Sequence, residues 1–251
     1  MRQILISENA EDKIIFTANS AQYHYLCHVL RFKQGDKLKG IDRIGYIYLL
    51  EVINSASQNI EVKVLKRVMQ KVITTEIVLL QCLPKGKKMD TIVRMATEIG
   101  VSSIVPLISE YTIPKIKSLT KITQKLKRWE NISREALQQS GTSVLPLIKK
   151  PNTLKALLTS WNSTGKHIFC HQENLGVKTL HSTLEDPLLK RLNILIGPEG
   201  GFAKSEVKSL LEKNFCPVNL GCNILRTETA AIFALAACKI LLLERKAWKL
   251  N

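Results

Sequence analysis

Short runs of alternating apolar and polar residues fill the first part of the chain and predict strands. The runs at residues 46–53 and 60–65 are rich in the β-branched and aromatic side chains that strands favour. Turn-forming residues, Gly35-Asp36 and those at positions 42–45, precede them. Strands this short and closely spaced predict a small β-barrel or a compact sheet over residues 1–70.

Beyond this part, strand-like apolar runs alternate with segments of helical periodicity. The predicted strands cover residues 76–83, 103–108, 167–170, 192–196 and 217–220. After the first of them, Ile92, Val93 and Ala96 recur at helical spacing, and Gly100 offers a helix cap. This alternation predicts the α/β class, with a mostly parallel sheet covered by helices on both faces, over residues 73–251.

The composition adds an excess of positive charge to this pattern. The chain holds 37 Lys+Arg against 21 Asp+Glu, a formal net charge of +16. Because 45% of the residues are hydrophobic, a core can form and global disorder is excluded. A basic chain of this size most often binds a polyanion, either nucleic acid or an anionic membrane, and a solvated lysine-rich surface is the plainer interpretation.

Neither a membrane span, a secretory signal nor a metal site is predicted. The longest apolar stretch, at residues 229–243, contains Lys239 and is shorter than the roughly 20 residues of a spanning helix. The first residues lack a signal-peptide pattern and the six cysteines lack CxxC spacing, so we expect reduced thiols in a cytoplasmic protein. His24, Cys27 and His28 have no second ligand pair, so no metal is expected.

Three polar or glycine-rich junctions follow strands of the second domain and are candidates for chemistry. Residues 84–90 place three lysines before a helix, which suits either an anion site or a solvated cluster. Residues 196–202 end a buried strand in Gly-Pro-Glu-Gly-Gly, and ligands of open α/β sheets lie beyond such ends. Residues 220–230 lead through Arg-Thr-Glu-Thr into an apolar helix, which indicates a capped helix or a ligand loop.

Taken in order, these blocks resemble one family. The matching segments are 28–31, 35–36, 85–89, 96–101, 135–141, 196–202 and 224–230. They resemble the RsmE family, SPOUT-class methyltransferases that form N3-methyluridine in 16S RNA of the bacterial small ribosomal subunit. The resemblance covers nearly the whole chain, and its most specific blocks are Gly-Pro-Glu-Gly-Gly-Phe and Leu-Arg-Thr-Glu-Thr-Ala.

The resemblance implies a fold, a cofactor and partners that composition does not. It implies an N-terminal PUA-like RNA-binding β-barrel and an α/β domain with a trefoil knot, an exception to the unknotted rule. It further implies S-adenosylmethionine as cofactor, a homodimer with the knot at its interface, and the uridine at position 1498 as target. The residues it assigns to the cofactor are Ile196, Gly197, Pro198, Glu199, Gly200, Gly201, Leu220, Gly221, Ile224, Leu225, Thr227 and, after a neighbouring strand, His171.

Methyl transfer to uridine N3 also needs the N3 proton removed or the resulting anion stabilised. Arg226 is the candidate for stabilising the anion, and Glu199 or Glu228 for accepting the proton or holding the base. The plainer interpretation is that Arg226 and Glu228 cap and pair, and that Glu199 shapes its loop. The candidates for RNA binding are Arg31, Lys85, Lys87, Lys88, Arg94, Lys115 and Lys117.

The sequence departs from the family pattern at three positions that usually carry arginine. They hold Tyr111, Thr142 and Asn223 here. A run of cations at positions 115–128 could supply phosphate contacts instead, or form a solvated helix face. Two alternatives stay open: a SPOUT enzyme that acts on another RNA, and a non-catalytic RNA-binding protein of ribosome assembly.

Overall fold

The structure is a computed structural model that describes residues 3–6, 10, 13–17, 20–42, 46–56, 58–69, 75–114, 118–173, 175 and 179–244. Contacts between Cα atoms divide the chain into two units. The first comprises residues 1–72 together with 134–144, and the second comprises 73–133 together with 145–251. The expected boundary at residues 66–73 lies partly outside the described residues. The first unit therefore also takes a segment from the middle of the chain.

The first unit is built on a five-stranded sheet. Its strands are β1 (Gln3–Leu5), β2 (Lys13–Thr17), β3 (Lys37–Ile41), β4 (Tyr46–Ser55) and β5 (Asn59–Met69), in the order β1-β3-β4-β5-β2. The strands predicted at 46–53 and 60–65 are confirmed as β4 and β5, which pair antiparallel. Among the described residues β1 and β2 do not pair with each other, so the sheet is an open half-barrel rather than a closed barrel.

A short helix, α1 (Ala21–His24), continues directly into a π-helical turn at Tyr25–Val29. Leu26 is fully buried in the core of the unit, beside Leu38 and Tyr48. The spacing of an α-helix would place Val29 on the same face as Leu26, but Val29 is exposed. The cause is the wider π turn, in which the residue three positions after Leu26 does not return to the face of an α-helix.

The second unit is built on seven short parallel strands. They are β6 (Glu76–Cys82), β7 (Ser103–Ile108), β8 (Leu147–Ile148), β9 (Asn152–Thr153), β10 (Lys166–Cys170), β11 (Arg191–Ile196) and β12 (Cys216–Val218). The order is β12-β10-β11-β6-β7-β8, and β9 also pairs with β7. The helices are α2 (Lys88–Ile99), α3 (Leu119–Ser140), α4 (Leu154–Thr159), α5 (Leu180–Leu184), α6 (Lys204–Glu212) and α7 (Thr227–Glu244). The predicted α/β class and parallel sheet are confirmed.

The central strands are apolar at nearly every position because both faces of the sheet are covered. On one face Leu79 and Ile194 pack in a core that includes residues of α2 and α7. On the other face Leu80 and Leu195 pack with Phe169 and with residues of α4 and α6. This parallel arrangement brings the carboxyl ends of β6, β10, β11 and β12 to the same edge, where ligands of such sheets bind.

Helix α7 packs against α2, α5 and β11. The apolar run at residues 230–243 fits a helix that the knot and a second subunit cover, and in the single chain Phe233, Ile240 and Leu243 are exposed. The trefoil knot stays a prediction of the family resemblance. No helix in the described part of the chain has the length and apolar character needed to cross a membrane.

Candidate functional site

A cavity of about 470 Å³ opens at the carboxyl ends of β10, β11 and β12. Its walls are the segments that follow these strands, residues 170–173, 196–202 and 219–227, with Ala230 of α7. Every residue that the resemblance assigns to the cofactor lines this cavity, and so do Arg226 and Asn223. The structure thus brings together three chain segments that lie far apart in the sequence, His171 among them.

Phe202 anchors the loop after β11, residues 197–202, to the core. This ring is buried in the core against Phe169, with ring centroids 6.1 Å apart. A Cβ atom added at Gly197 would lie 3.1 Å from Phe202 Cε2, so glycine lets the loop close over the ring. The Gly201 N–H donates to the Pro198 carbonyl at 3.0 Å and tightens the turn. The loop therefore presents backbone groups to the cavity from a fixed base.

A buried chain of hydrogen bonds ties this loop to β6 and α7. The Thr227 hydroxyl donates to the Gly197 carbonyl at 2.6 Å, and Gln81 Nε2 donates to that hydroxyl at 3.1 Å. Gln81 is fully buried. Sequence reasoning missed Gln81, although a lone amide within the apolar run of β6 is a visible signal. Thr227, expected to bind the cofactor, uses its hydroxyl to fix the loop.

Lys88 lies between the two candidate carboxylates. Its Nζ lies 3.1 Å from Glu199 Oε1 and 3.3 Å from Glu228 Oε2. The Lys85 backbone N–H also donates to Glu199 Oε1, at 3.1 Å. The candidate RNA-binding lysine is thus engaged within the protein, where it joins the start of α2 to the cavity loop and to the start of α7.

These contacts shift the pKa values of Lys88 and Glu199. The hydrogen bond to Glu199 is the main cause that raises the pKa of Lys88, against the opposing effect of burial. Burial alone would raise the pKa of Glu199, but hydrogen bonds from its own backbone N–H, from the Lys85 N–H and from Lys88 outweigh it and lower that pKa. Glu199 is therefore ionised at neutral pH and is a weak proton acceptor.

Arg226 differs from the other charged groups of the site. It is exposed, it lines the cavity, and its carbonyl accepts the Ala230 N–H at 2.8 Å in the first turn of α7. Within the described residues its guanidinium forms no hydrogen bond and no ion pair. The plainer interpretation, that Arg226 pairs with a neighbour, is therefore not what the structure describes. Its guanidinium donors are therefore available to a ligand.

The remaining candidates for RNA binding are spread over both units. Lys85 and Lys87 are exposed beside the loop that Glu199 belongs to, and Arg94 is exposed on α2. Arg31 belongs to the first unit, where it is exposed with a left-handed φ of 56°. Lys115 and Lys117 lie outside the described residues. In the cation run around them, Arg128 is already paired with Asp90, with Nη2 and Oδ2 2.6 Å apart.

The three positions without the family's arginine have different surroundings. Tyr111 is exposed on the turn after β7, and Asn223 lines the cavity. Thr142 is partly buried in the first unit, and its carbonyl accepts Gln3 Nε2 at 2.7 Å. All six cysteines are free thiols. No group of three or more His, Cys, Asp or Glu side chains in the described part of the chain is arranged to hold a metal ion.

Two family models match this chain, one in its N-terminal part and one over most of the remainder. A family model described as an RNA methyltransferase domain matches residues 71–239, and one described as an RNA methyltransferase PUA domain matches residues 18–65. The expected PUA-like character of the N-terminal sheet is thereby confirmed.

Relatives along the whole chain carry one name, ribosomal RNA small subunit methyltransferase E. The protein from Buchnera aphidicola subsp. Acyrthosiphon pisum is 31% identical over 94% of this chain and 91% of its own. The protein from Aquifex aeolicus is 33% identical over 91% of this chain and 95% of its own. A solved structure, a putative methyltransferase of Legionella pneumophila with bound cofactor SAM, aligns with a TM-score of 0.83 at 26% identity, over 95% and 96% of the two chains.

Proposed function

The chain belongs to the family of ribosomal RNA small subunit methyltransferase E, and from this premise we propose that it methylates N3 of a uridine in 16S ribosomal RNA, at position 1498, with S-adenosylmethionine as donor. The observation that carries the proposal is the cavity at the sheet edge, which all the expected cofactor residues line.

The residues of the cavity fit this cofactor. The cavity volume, about 470 Å³, lies within the range of ligand pockets, roughly 300–1,000 Å³. Glycine-rich backbone at residues 197–201 suits hydrogen bonds to polar groups of the nucleoside, and Leu220, Ile224 and Leu225 offer an apolar wall for the adenine ring. Ile224 is exposed in the single chain, as expected for a side chain that a ligand or a second subunit covers.

The bound cofactor supplies a methyl group on a sulfonium, and the residues of this chain align and prepare the acceptor. We assign Arg226 to the uracil oxygens, where its unpaired guanidinium stabilises the negative charge that forms when N3 loses its proton. The lowered pKa of Glu199 makes it a weak base, so we assign it to holding the loop through Lys85 and Lys88. Glu228, whose Oε2 lies 3.3 Å from Lys88 Nζ at the start of α7, stays the candidate for accepting the proton.

We also infer a homodimer that forms through α7, in the cytoplasm. Phe233, Ile240 and Leu243 are each about half exposed and make the face of α7 opposite Ala234, Leu235 and Cys238, which are buried. An apolar stripe of this kind on a helix indicates a protein contact. This supports the dimer that the family resemblance implies.

Methyl transfer from labelled S-adenosylmethionine to separated RNA fractions tests the function. We expect label in small subunits taken from a bacterium that lacks the modification, and none in large subunits or transfer RNA. Label in another fraction would establish the alternative, an enzyme acting on a different RNA. Cofactor binding by calorimetry with no transfer to any fraction would contradict the proposed reaction, and absence of both would leave only an RNA-binding role.

A further inference from the structure

Tyr111 is an exposed aromatic ring at the edge of the candidate site, at a position where the resembled family usually carries arginine. Its side chain is 48% exposed. It packs on the cavity loop itself, because a Cβ atom added at Gly200 would lie 3.0 Å from Tyr111 Cβ and 3.6 Å from its Cγ. The Gly200 residue lines the cavity. Tyr111 therefore extends the rim of the cavity with an aromatic surface that solvent reaches.

The turn that carries Tyr111 is held in place by hydrogen bonds. The Ser109 N–H donates to the Thr112 hydroxyl at 2.9 Å, and the Thr112 N–H donates to the Ser109 carbonyl at 3.1 Å. The Glu110 N–H donates to Glu206 Oε1 at 2.9 Å, and the other oxygen of Glu206 accepts the Ala203 N–H at the start of α6. The turn that carries the ring is thus anchored to the sheet and to α6. It therefore loses little conformational entropy when a base binds to the ring.

Cations also lie beside the same loop. Glu199, which precedes Gly200, accepts the Lys85 N–H, and the side chains of Lys85 and Lys87 are exposed. An aromatic ring that stacks on bases, together with lysines that contact phosphates, is the combination by which proteins hold single-stranded nucleic acid. Sequence-specific RNA recognition likewise uses unstacked bases laid on aromatic side chains.

We propose that Tyr111 is a stacking platform for an unstacked RNA base at the rim of the cavity, a proposal that rests on the proposed action on RNA. A uridine whose N3 is to be methylated must leave its stack, and its neighbours then lose a partner. The phenol ring supplies a replacement π-face beside the cavity. Tyr111 thus contacts a base by stacking, whereas an arginine at this position would act through its charge.

Binding of a fluorescein-labelled oligouridylate and methylation of unmodified small subunits test the proposal on the full-length protein. Base–aromatic stacking corresponds to a loss of roughly 5- to 150-fold in affinity when the ring is removed. We expect this loss in oligouridylate affinity, and a similar rise in KM for small subunits, for Tyr111→Ala and Tyr111→Leu. Tyr111→Phe keeps the ring and should bind within about twofold of the wild type.

Two comparisons separate stacking from simple packing. Tyr111→Leu keeps an apolar cover over Gly200 without a π-face, so wild-type RNA affinity in this variant would overturn the proposal. The neighbouring Glu110→Gln keeps the backbone hydrogen bond to Glu206 and should leave RNA affinity unreduced. Affinity for S-adenosylmethionine and the midpoint of thermal unfolding should match the wild type in Tyr111→Leu. A change of dimer mass in Tyr111→Leu would reassign the ring to a subunit contact and also overturn the proposal.

The proposed function fails separately from this inference. A wild-type protein that binds oligouridylate through Tyr111 but transfers no methyl group would contradict the reaction and leave the stacking platform in place. A protein that methylates small subunits with equal KM in the wild type and in Tyr111→Leu, and binds oligouridylate equally in both, would support the reaction and remove the platform. Absence of wild-type binding to both RNAs would contradict the platform directly.

Discussion

At the scale of single residues, the site divides its charged groups between two tasks. Lys88 contacts both Glu199 and Glu228, and the three residues join three elements of the second unit. Arg226 forms no such contact within the described residues and is one of the residues that line the cavity. The first three groups are therefore suited to fixing the shape of the site, and the guanidinium is suited to meeting a charge that develops on the substrate.

Replacing Arg226 tests its assignment. Arg226→Ala should lower the methyl-transfer rate by roughly 100- to 1,000-fold, the usual effect of removing a donor that stabilises a developing oxyanion. Affinity for S-adenosylmethionine, measured by calorimetry, should stay within about twofold because we assign the guanidinium to the base and not to the cofactor. The methyl-transfer rate of Arg226→Lys should lie between those of the wild type and Arg226→Ala, since lysine keeps the charge but lacks the planar guanidinium. An unchanged rate in Arg226→Ala would remove Arg226 from the mechanism.

The contacts of Glu199 predict a pH-dependent contribution to stability. Because its folded-state pKa lies below its ordinary value of 4.5, the stabilisation is complete above that pH and is lost as the pH falls through the folded-state pKa. Glu199→Gln should therefore reduce the free energy of unfolding at neutral pH by about 1 kcal/mol or less, because the pair is partly exposed. Its stability should also fall less steeply below pH 4.5.

Urea unfolding of the wild type and of Glu199→Gln, across the acid range, measures this contribution. Glu212→Gln is the matched control, since Glu212 is exposed at the end of α6 and makes none of these contacts. Parallel stability curves for the wild type and Glu199→Gln would show that the Lys88 contact contributes nothing to folding.

At the scale of elements, the cavity loop depends on a connection between β6, β11 and α7. Thr227 begins α7, and its hydroxyl bonds to the Gly197 carbonyl just beyond β11. Thr227→Val keeps the shape and removes the hydroxyl, which leaves the Gln81 amide without this acceptor. We expect a cost of about 1–3 kcal/mol in unfolding free energy and roughly tenfold weaker binding of S-adenosylmethionine, by calorimetry. Thr227→Ser keeps the hydroxyl and should keep most of the stability and most of the affinity for S-adenosylmethionine. Equal losses in the two variants would contradict a role of the Thr227 hydroxyl in holding the loop.

Helix α7 also carries the dimer prediction. Phe233→Glu combined with Ile240→Glu places charge on the exposed apolar face and should convert a dimer into a monomer in sedimentation equilibrium. Lys208→Glu, an exposed position on α6, serves as the control and should leave the mass unchanged. The buried residues of α7 are untouched by these changes, so the fold of each subunit should persist. A wild-type protein that sediments as a monomer would contradict the dimer.

At the scale of the whole molecule, periodicity alone predicted most of the second unit. The strand at Ser103–Ile108 and the helix ending before Gly100 appear where the pattern placed them. The strands β8 and β9 could not be predicted, because two residues are too few to show the alternation of a strand. The inclusion of residues 134–144 in the first unit could not be predicted either, because the amphipathic repeat of α3 continues unbroken through the change of unit.

The site was predicted less evenly than the fold. The glycine-rich and Arg-Thr-Glu-Thr segments identified the cavity walls, since backbone loops leave a strong sequence signal. The internal contacts of Lys88 could not be predicted because its two carboxylate partners lie more than a hundred residues away. Gln81 and the packing of Tyr111 on Gly200 were missed for the same reason. Contacts between distant segments need the structure.

We propose that this cavity directs a methyl group to uridine N3 in small-subunit RNA. Nucleoside analysis of unmodified small subunits, after incubation with the protein and S-adenosylmethionine, is the decisive experiment, with Arg226→Ala as the inactive control. We expect N3-methyluridine with the wild type, mapped to the single uridine at position 1498, and only trace amounts with Arg226→Ala. Any other methylated nucleoside, or none, would contradict it.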